Sequence, residues 1–174
     1  MSNSEPRAPR QNLKNPMTRQ GFAKIAAEHN HLLNEVRPKV VQGVADAAAE
    51  GDRSENAEYI YGKKRLREID KRLRYLTQLL KDVELIDPDT VGGDTVYFGA
   101  TVLVEDAEGL VKTWTIVGVG EANLSEGSIS WKSPVARALM GKRIGDCVTI
   151  EVPAGDIELT IHELRFGQRV VGSL

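Results

Sequence analysis

Apolar residues recur at alternating spacings of three and four in two long runs of the first half of the chain. Phe22, Ile25, His29, Leu32 and Val36 make the first stripe, and Val40, Val44 and Ala47 carry it on. Leu66, Ile69, Leu73, Leu76, Leu80 and Val83 make the second. This period marks one face of a helix that packs on another helix. Thr18 is suited to cap the first helix. Pro38 lacks a backbone donor and its ring crowds the preceding turn, so a kink or break is expected near Arg37-Pro38 before the helix resumes. The alanines between 45 and 49 keep this arm thin, and Glu50-Gly51 should stop it. The second helix is predicted from about 53 to about 83. Two long helices joined by a short loop lie antiparallel, each stripe covering the other.

After Asp87-Pro88-Asp89 the pattern changes to β-branched residues punctuated by glycine. One or two strands are predicted over 96–104, and further strands over 113–119, 127–131, 147–152 and 158–166. Ser133-Pro134 should open a short helix over 135–140 that ends at Gly141. The expected class is α+β, with an antiparallel helical hairpin (a coiled coil) over 17–87. A compact domain with an antiparallel sheet and a short helix is expected over 92–168. Residues 1–16, polar and carrying Pro6, Pro9 and Pro16, are expected to be a disordered tail.

The bulk composition narrows the class without deciding the function. The 174 residues are 41% hydrophobic and 28% charged, as in soluble globular or coiled-coil proteins. A formal net charge of -2 excludes a chain that binds nucleic acid through its overall charge, so local runs matter more. The single cysteine, Cys147, forms no intramolecular disulfide and no Cys-rich zinc site. It is expected to be a small buried hydrophobe, and a reducing, cytoplasmic location is expected with it. No run approaches the ~20 apolar residues of a membrane span, and the N-terminal segment lacks the apolar core of a signal peptide.

Between the two helical runs lies Gly51-Asp52-Arg53-Ser54-Glu55-Asn56-Ala57-Glu58-Tyr59. Asp52 with Glu55 three residues on is a variant of a capping box, and both carboxylates suit the positive end of a helix. The same carboxylates are also oxygen ligands of the kind Mg²⁺ takes, one or two at a time, with the rest of its shell left to water or a partner. Ser54 could cap the helix or orient a bound water. Two acids on an exposed tip make an incomplete site, which points away from a stand-alone nuclease. A basic run follows. At ~100° per residue, Lys63, Lys64, Arg67, Lys71 and Arg74 fall within about a third of the helix circumference, opposite the apolar stripe. They read either as a solvated face or as a track for a phosphate backbone. Tyr59 suits the seam, and Tyr61 could stack on a base. His29, His31 and His162 have no evident nucleophile or metal-ligand partner in the sequence.

These segments carry a resemblance. The tip 51–59, the basic continuation Lys63-Lys64-Arg65-Leu66-Arg67-Glu68-Ile69-Asp70-Lys71-Arg72-Leu73-Arg74-Tyr75-Leu76, Thr18-Arg19-Gln20-Gly21, Phe98-Gly99-Ala100 and Ser133-Pro134-Val135-Ala136-Arg137-Ala138-Leu139 occur in this order. Together they resemble the bacterial transcript cleavage factors of the GreA/GreB family, and the basic helix resembles the GreB branch. The resemblance covers about 17–167. It implies a coiled coil followed by an FKBP-like domain, in a monomer whose partners are RNA polymerase and the 3′ end of nascent RNA. The C-terminal domain would bind the rim of the polymerase secondary channel, with Ser133 and Pro134 at the contact. Asp52 and Glu55 would sit at the polymerase active centre with Ser54 between them and would share Mg²⁺ there, only in the complex. Lys63, Lys64, Arg67, Lys71 and Arg74 would hold extruded RNA. The implied activity is stimulated cleavage of backtracked RNA by the polymerase. The alternatives are a relative that occupies the channel without cleavage, a coiled-coil scaffold and, from fold analogy alone, a prolyl isomerase.

Overall fold

The computed structural model describes residues 13–49, 56–151, 153 and 155–173. They form two compact units. One is a helical hairpin over Phe22–Lys81; the other joins the segment up to Gly21 with the chain from Asp82 onward.

The hairpin is built from α1 (Arg19–His31), α2 (Arg37–Ala49) and α3 (Ala57–Leu79). Every expected seam position of the first arm is buried or half-buried, and Ile69, Leu73 and Leu76 of α3 are buried. Pro38 does not break the arm. A π-helical turn, Leu32–Val36, joins α1 to α2, and the Arg37 N–H donates five residues back to the Leu32 carbonyl. The extra residue in that turn widens it where the proline ring needs space and where its missing N–H leaves a carbonyl free. Cross-helix pairs show the antiparallel packing. His29 meets Thr77, Arg37 meets Asp70, and Asn56 meets Ala47, so numbers fall along one arm as they rise along the other.

α3 is shorter than its apolar stripe suggests. It ends at Leu79, and Leu79 takes the last buried seam position in place of Leu80. Asp82 follows at φ 52°, a left-handed backbone that a helix cannot continue through. Gly62 lies on the seam, and a Cβ there would stand 2.6 Å from Val44 Cγ2, so glycine sets how closely the arms approach.

The other unit is a curled sheet on a short helix. Its strands are β3 (Ala100–Asp106), β4 (Val111–Val117), β5 (Ser128–Ser130), β6 (Cys147–Ile150), β7 (Ile157–Phe166) and β8 (Arg169–Ser173), with β1 (Pro16–Thr18) and β2 (Glu84–Ile86) forming a separate parallel pair. The order in the main sheet is β5-β4-β3-β7-β6, with β8 beside β7. The sheet is not wholly antiparallel as expected, because β5 runs parallel to β4. Of the one or two strands expected over 96–104, one forms, and it starts at Ala100. Gly99 at φ 83° turns the chain first, and β3 begins after it. Ala100, Val102 and Val104 point inward from β3 and meet Leu159, Ile161, Leu164 and Phe166 of β7. Strict alternation would turn one of these pairs outward. The register shift opposite Leu103/Val104 leaves His162 as an extra residue, and this bulge returns Leu164 and Phe166 to the core. α4 (Pro134–Leu139) lays Ala136 and Leu139 against the same core.

One boundary and one burial expectation also differ from the structure. Residues 13–16, assigned by composition to a tail, already belong to the globular unit. Leu13 packs against its core, and the Glu84 N–H donates to the Asn15 carbonyl at 2.9 Å. Residues 1–12 lie outside the described residues. Cys147 is exposed, contrary to expectation: in β6 the alternation sends Val148 and Ile150 inward and leaves Cys147 and Thr149 on the outer face.

Candidate functional site

Asp52, Ser54 and Glu55 lie outside the described residues; their nearest described neighbours in the chain are the ends of two helices. α2 ends at Ala49 and α3 begins at Ala57. The N-cap of α3 is Asn56, whose Oδ1 accepts from the Tyr59 N–H at 3.1 Å. Asn56 Nδ2 donates to the Ala47 carbonyl at 2.9 Å. One side chain thus satisfies an orphan donor at the start of α3 and an orphan acceptor at the end of α2. The cap expected at Asp52 is instead Asn56, the residue directly ahead of α3; Asp52 and Glu55 themselves lie outside the described residues. The residue type preceding the helical run was a legible signal for this, since asparagine is among the strongest N-caps. For Gly62 the signal was its place on the stripe between Tyr59 and Leu66.

The basic face is resolved residue by residue. Lys63, Lys64, Arg67, Lys71 and Arg74 are all exposed. Among the described residues none of the five has an ion-pair partner, and only Lys63 has a ring contact, 5.9 Å from the Tyr59 centroid. The neighbouring arginines off this arc are all engaged. Arg65 meets Glu68 at 3.4 Å, and Arg72 donates to both oxygens of Glu28 at 2.7 and 2.8 Å. Across the seam Arg37 donates to Asp70 at 2.8 Å. The hydrogen bonds from Arg72 hold the Glu28 carboxyl below the usual carboxylate range and push the Arg72 guanidinium up. Glu28, Glu68 and Asp70 are therefore committed to arginines outside the arc or at the seam. Five adjacent cations are left facing solvent, an arrangement that attracts an extended polyanion. Ile60, 53% exposed, and Tyr61, 71% exposed, stand between this arc and the tip.

Ser133 and Pro134 are in the other unit, where both have a local role. Ser133 Oγ accepts from the Ala136 N–H at 3.1 Å and caps α4, and Pro134 occupies the first turn, where its missing N–H costs nothing. The histidines are spread out. His29 bonds Thr77 at 3.1 Å, His31 lies 3.3 Å from Glu35, and His162 lies 3.0 Å from Glu105. Among the described residues no three His, Cys, Asp or Glu side chains are grouped to hold a metal.

Comparison with known proteins covers both units. Residues 15–85 match the family described as "Transcription elongation factor, N-terminal", and residues 90–166 match "Transcription elongation factor, GreA/GreB, C-term". The chain is 49% identical over 150 residues to a transcription elongation factor GreB of Haemophilus influenzae, covering 86% of this chain and 95% of that one. It is 43% identical over 155 residues to a transcription elongation factor GreA of Acidiphilium cryptum, covering 88% and 99%. Among solved structures it is similar to the GreA factor homolog 1 protein of Thermus thermophilus, with 21% identity, a TM-score of 0.42 and coverage of 87% and 99%.

Proposed function

This chain belongs to the GreA/GreB family of transcription elongation factors, and from that membership we propose that it binds RNA polymerase and stimulates the polymerase's own cleavage of backtracked RNA. The globular unit, which we read as FKBP-like, docks on the rim of the secondary channel with Ser133 and Pro134 near the contact. The hairpin enters the channel as a monomer's single rod and brings its tip to the active centre. The protein is not a nuclease by itself; it completes a site in another enzyme. Its place of work is the cytoplasm.

Asp52 and Glu55 are the tip's carboxylates, and carboxylate oxygen is the donor Mg²⁺ takes from proteins. A Mg²⁺ shared between them and polymerase supplies, when bound, charge stabilisation at the scissile phosphate and an activated water. Asn56 is the N-cap residue of α3. Ser54, between them, brings a hydroxyl that can orient water. Asn56 fixes where the tip loop rejoins α3. Lys63, Lys64, Arg67, Lys71 and Arg74 bind the extruded RNA, and Tyr61 offers a stacking face beside them.

The observation that carries this reading is the segregation of charge on α3. Cations on one arc have no ion-pair partner among the described residues, whereas the arginines on its flanks are paired. The test is cleavage in backtracked complexes by a variant with Lys63, Lys64 and Arg67 all changed to Gln. Cleavage of long extruded RNA should fall more than release of a dinucleotide. The log–log salt slope of RNA-dependent activity should shrink by about 2, at ~0.7 per single-strand phosphate contact. Equal loss on long and short substrates would contradict an RNA track.

A further inference from the structure

The hairpin has a recess that the preceding roles touch only at Arg74. A groove of about 630 Å³ opens on its flank beside the π-helical turn. At one end His29 Nε2 and Thr77 Oγ1 lie 3.1 Å apart, and at the other is Asp70, to which Arg37 donates at 2.8 Å. Between these cross-helix pairs, Leu33 and Leu73 make an apolar floor. Leu73 is a seam residue, 8% exposed, but Leu33 is 43% exposed and lies off the seam, in the turn widened ahead of Pro38. Arg74 and Gln78 line the same groove from α3.

The chemistry of this recess selects its occupant. The groove is open to solvent, so it suits an occupant held on one face and not one enclosed on all sides. The Asp70 charge is met by Arg37, whereas Arg74 has no ion-pair partner among the described residues, so the groove favours an anion. Leucines facing across the floor suit the flat, apolar face of a ring. His29, Thr77 and Gln78 can donate to and accept from its polar edge. A ring with a polar edge and an attached anion is a nucleotide. Arg74 is also the last cation of the exposed arc. It lies 17 residues beyond Ala57, or about 25 Å along the helix, so a strand following the arc from the tip would reach the groove at its far end.

We propose that this groove seats one nucleotide of single-stranded RNA, its base on the Leu33–Leu73 floor and its phosphate on Arg74. The inference rests on the RNA track proposed above and adds to it a base-binding end that only long extruded RNA can fill. It is tested with the full chain bound to polymerase in backtracked complexes, using RNA with 4-thiouridine at successive positions of the extruded segment. Irradiation should give crosslinks within 29–33 or 73–78 at one narrow register, and Leu33→Glu should abolish them while leaving hairpin unfolding unchanged. Crosslinks along 63–71 with none in the groove would overturn the nucleotide seat and leave the track standing. Persistence of the groove crosslink in Leu33→Glu would also overturn the seat. No crosslink anywhere on the hairpin would overturn the seat and the track together.

Discussion

Asn56 joins the two arms at the tip with a single side chain, and the consequence of removing it can be worked out. Asn56→Ala loses the N-cap bond to the Tyr59 N–H and the bond to the Ala47 carbonyl. A lost N-cap costs about 1 kcal/mol. A lost hydrogen bond of ordinary geometry costs about another 1 kcal/mol, and Ala47 is buried, so water replaces the donor poorly. The sum, about 2 kcal/mol, corresponds to a roughly 30-fold rise in the open population of the hairpin end, at 1.36 kcal/mol per factor of ten. Asn56→Ser keeps a capping oxygen but cannot span to Ala47, so it should cost about 1 kcal/mol, or roughly fivefold. Native-state hydrogen exchange of the amides over 57–62 reads this local opening directly. The expected order of exchange is Ala fastest, Ser intermediate and wild type slowest. Wild-type exchange in Asn56→Ala would refute the reasoning. Equal exchange in Ala and Ser would show that the cap contributes nothing.

The glycines of the hairpin make opposite predictions. Gly62→Ala gains about 1 kcal/mol of helix propensity but sets its Cβ 2.6 Å from Val44 Cγ2, on a side chain that is stiff at χ1. The net should be a loss of about 1 kcal/mol or more in thermal or denaturant unfolding. Gly43→Ala, with nothing within 4 Å of its Cβ, should instead stabilise by about 1 kcal/mol. In the globular unit Ser133→Ala should cost about 1 kcal/mol through the lost cap of α4, and Ser133→Thr should recover most of it in the same unfolding measurement. Polymerase binding that follows this stability order, instead of following the hydroxyl itself, would assign Ser133 to scaffolding.

The helical hairpin was legible because its stripe obeys one period over many turns, and period is a property of the chain itself. Its ends were less so. Leu80 continues the spacing as well as Leu79 does, and the choice is made by the left-handed turn at Asp82. Pro38 signalled a disturbance, but the π turn that absorbs it depends on packing against α3. In the globular unit the run Leu159-Thr160-Ile161-His162-Glu163-Leu164-Arg165-Phe166 breaks strict alternation, and the bulge at His162 resolves the break only once β3 is in place. β1 and β2, three residues each, are too short to carry a period. Cys147 is exposed because its phase in β6, and not its residue type, decides which face it takes. At the candidate site the five cations were visible as an arc. Which of them lack ion-pair partners depends on Glu28, Glu68 and Asp70, and two of these act across the seam or from the other arm.

The central claim is that Asp52 and Glu55 complete a site that belongs to polymerase. The most direct measurement is RNA shortening in a stalled, backtracked elongation complex, run beside the same RNA without polymerase, with wild type, Asp52→Asn and Glu55→Gln. The account predicts Mg²⁺-dependent shortening only when polymerase and wild-type protein are both present. It also predicts loss of shortening in each variant with polymerase binding retained. Shortening of RNA without polymerase, or full activity in either variant, would contradict it, and binding without any shortening by the wild type would identify a channel-occupying regulator instead.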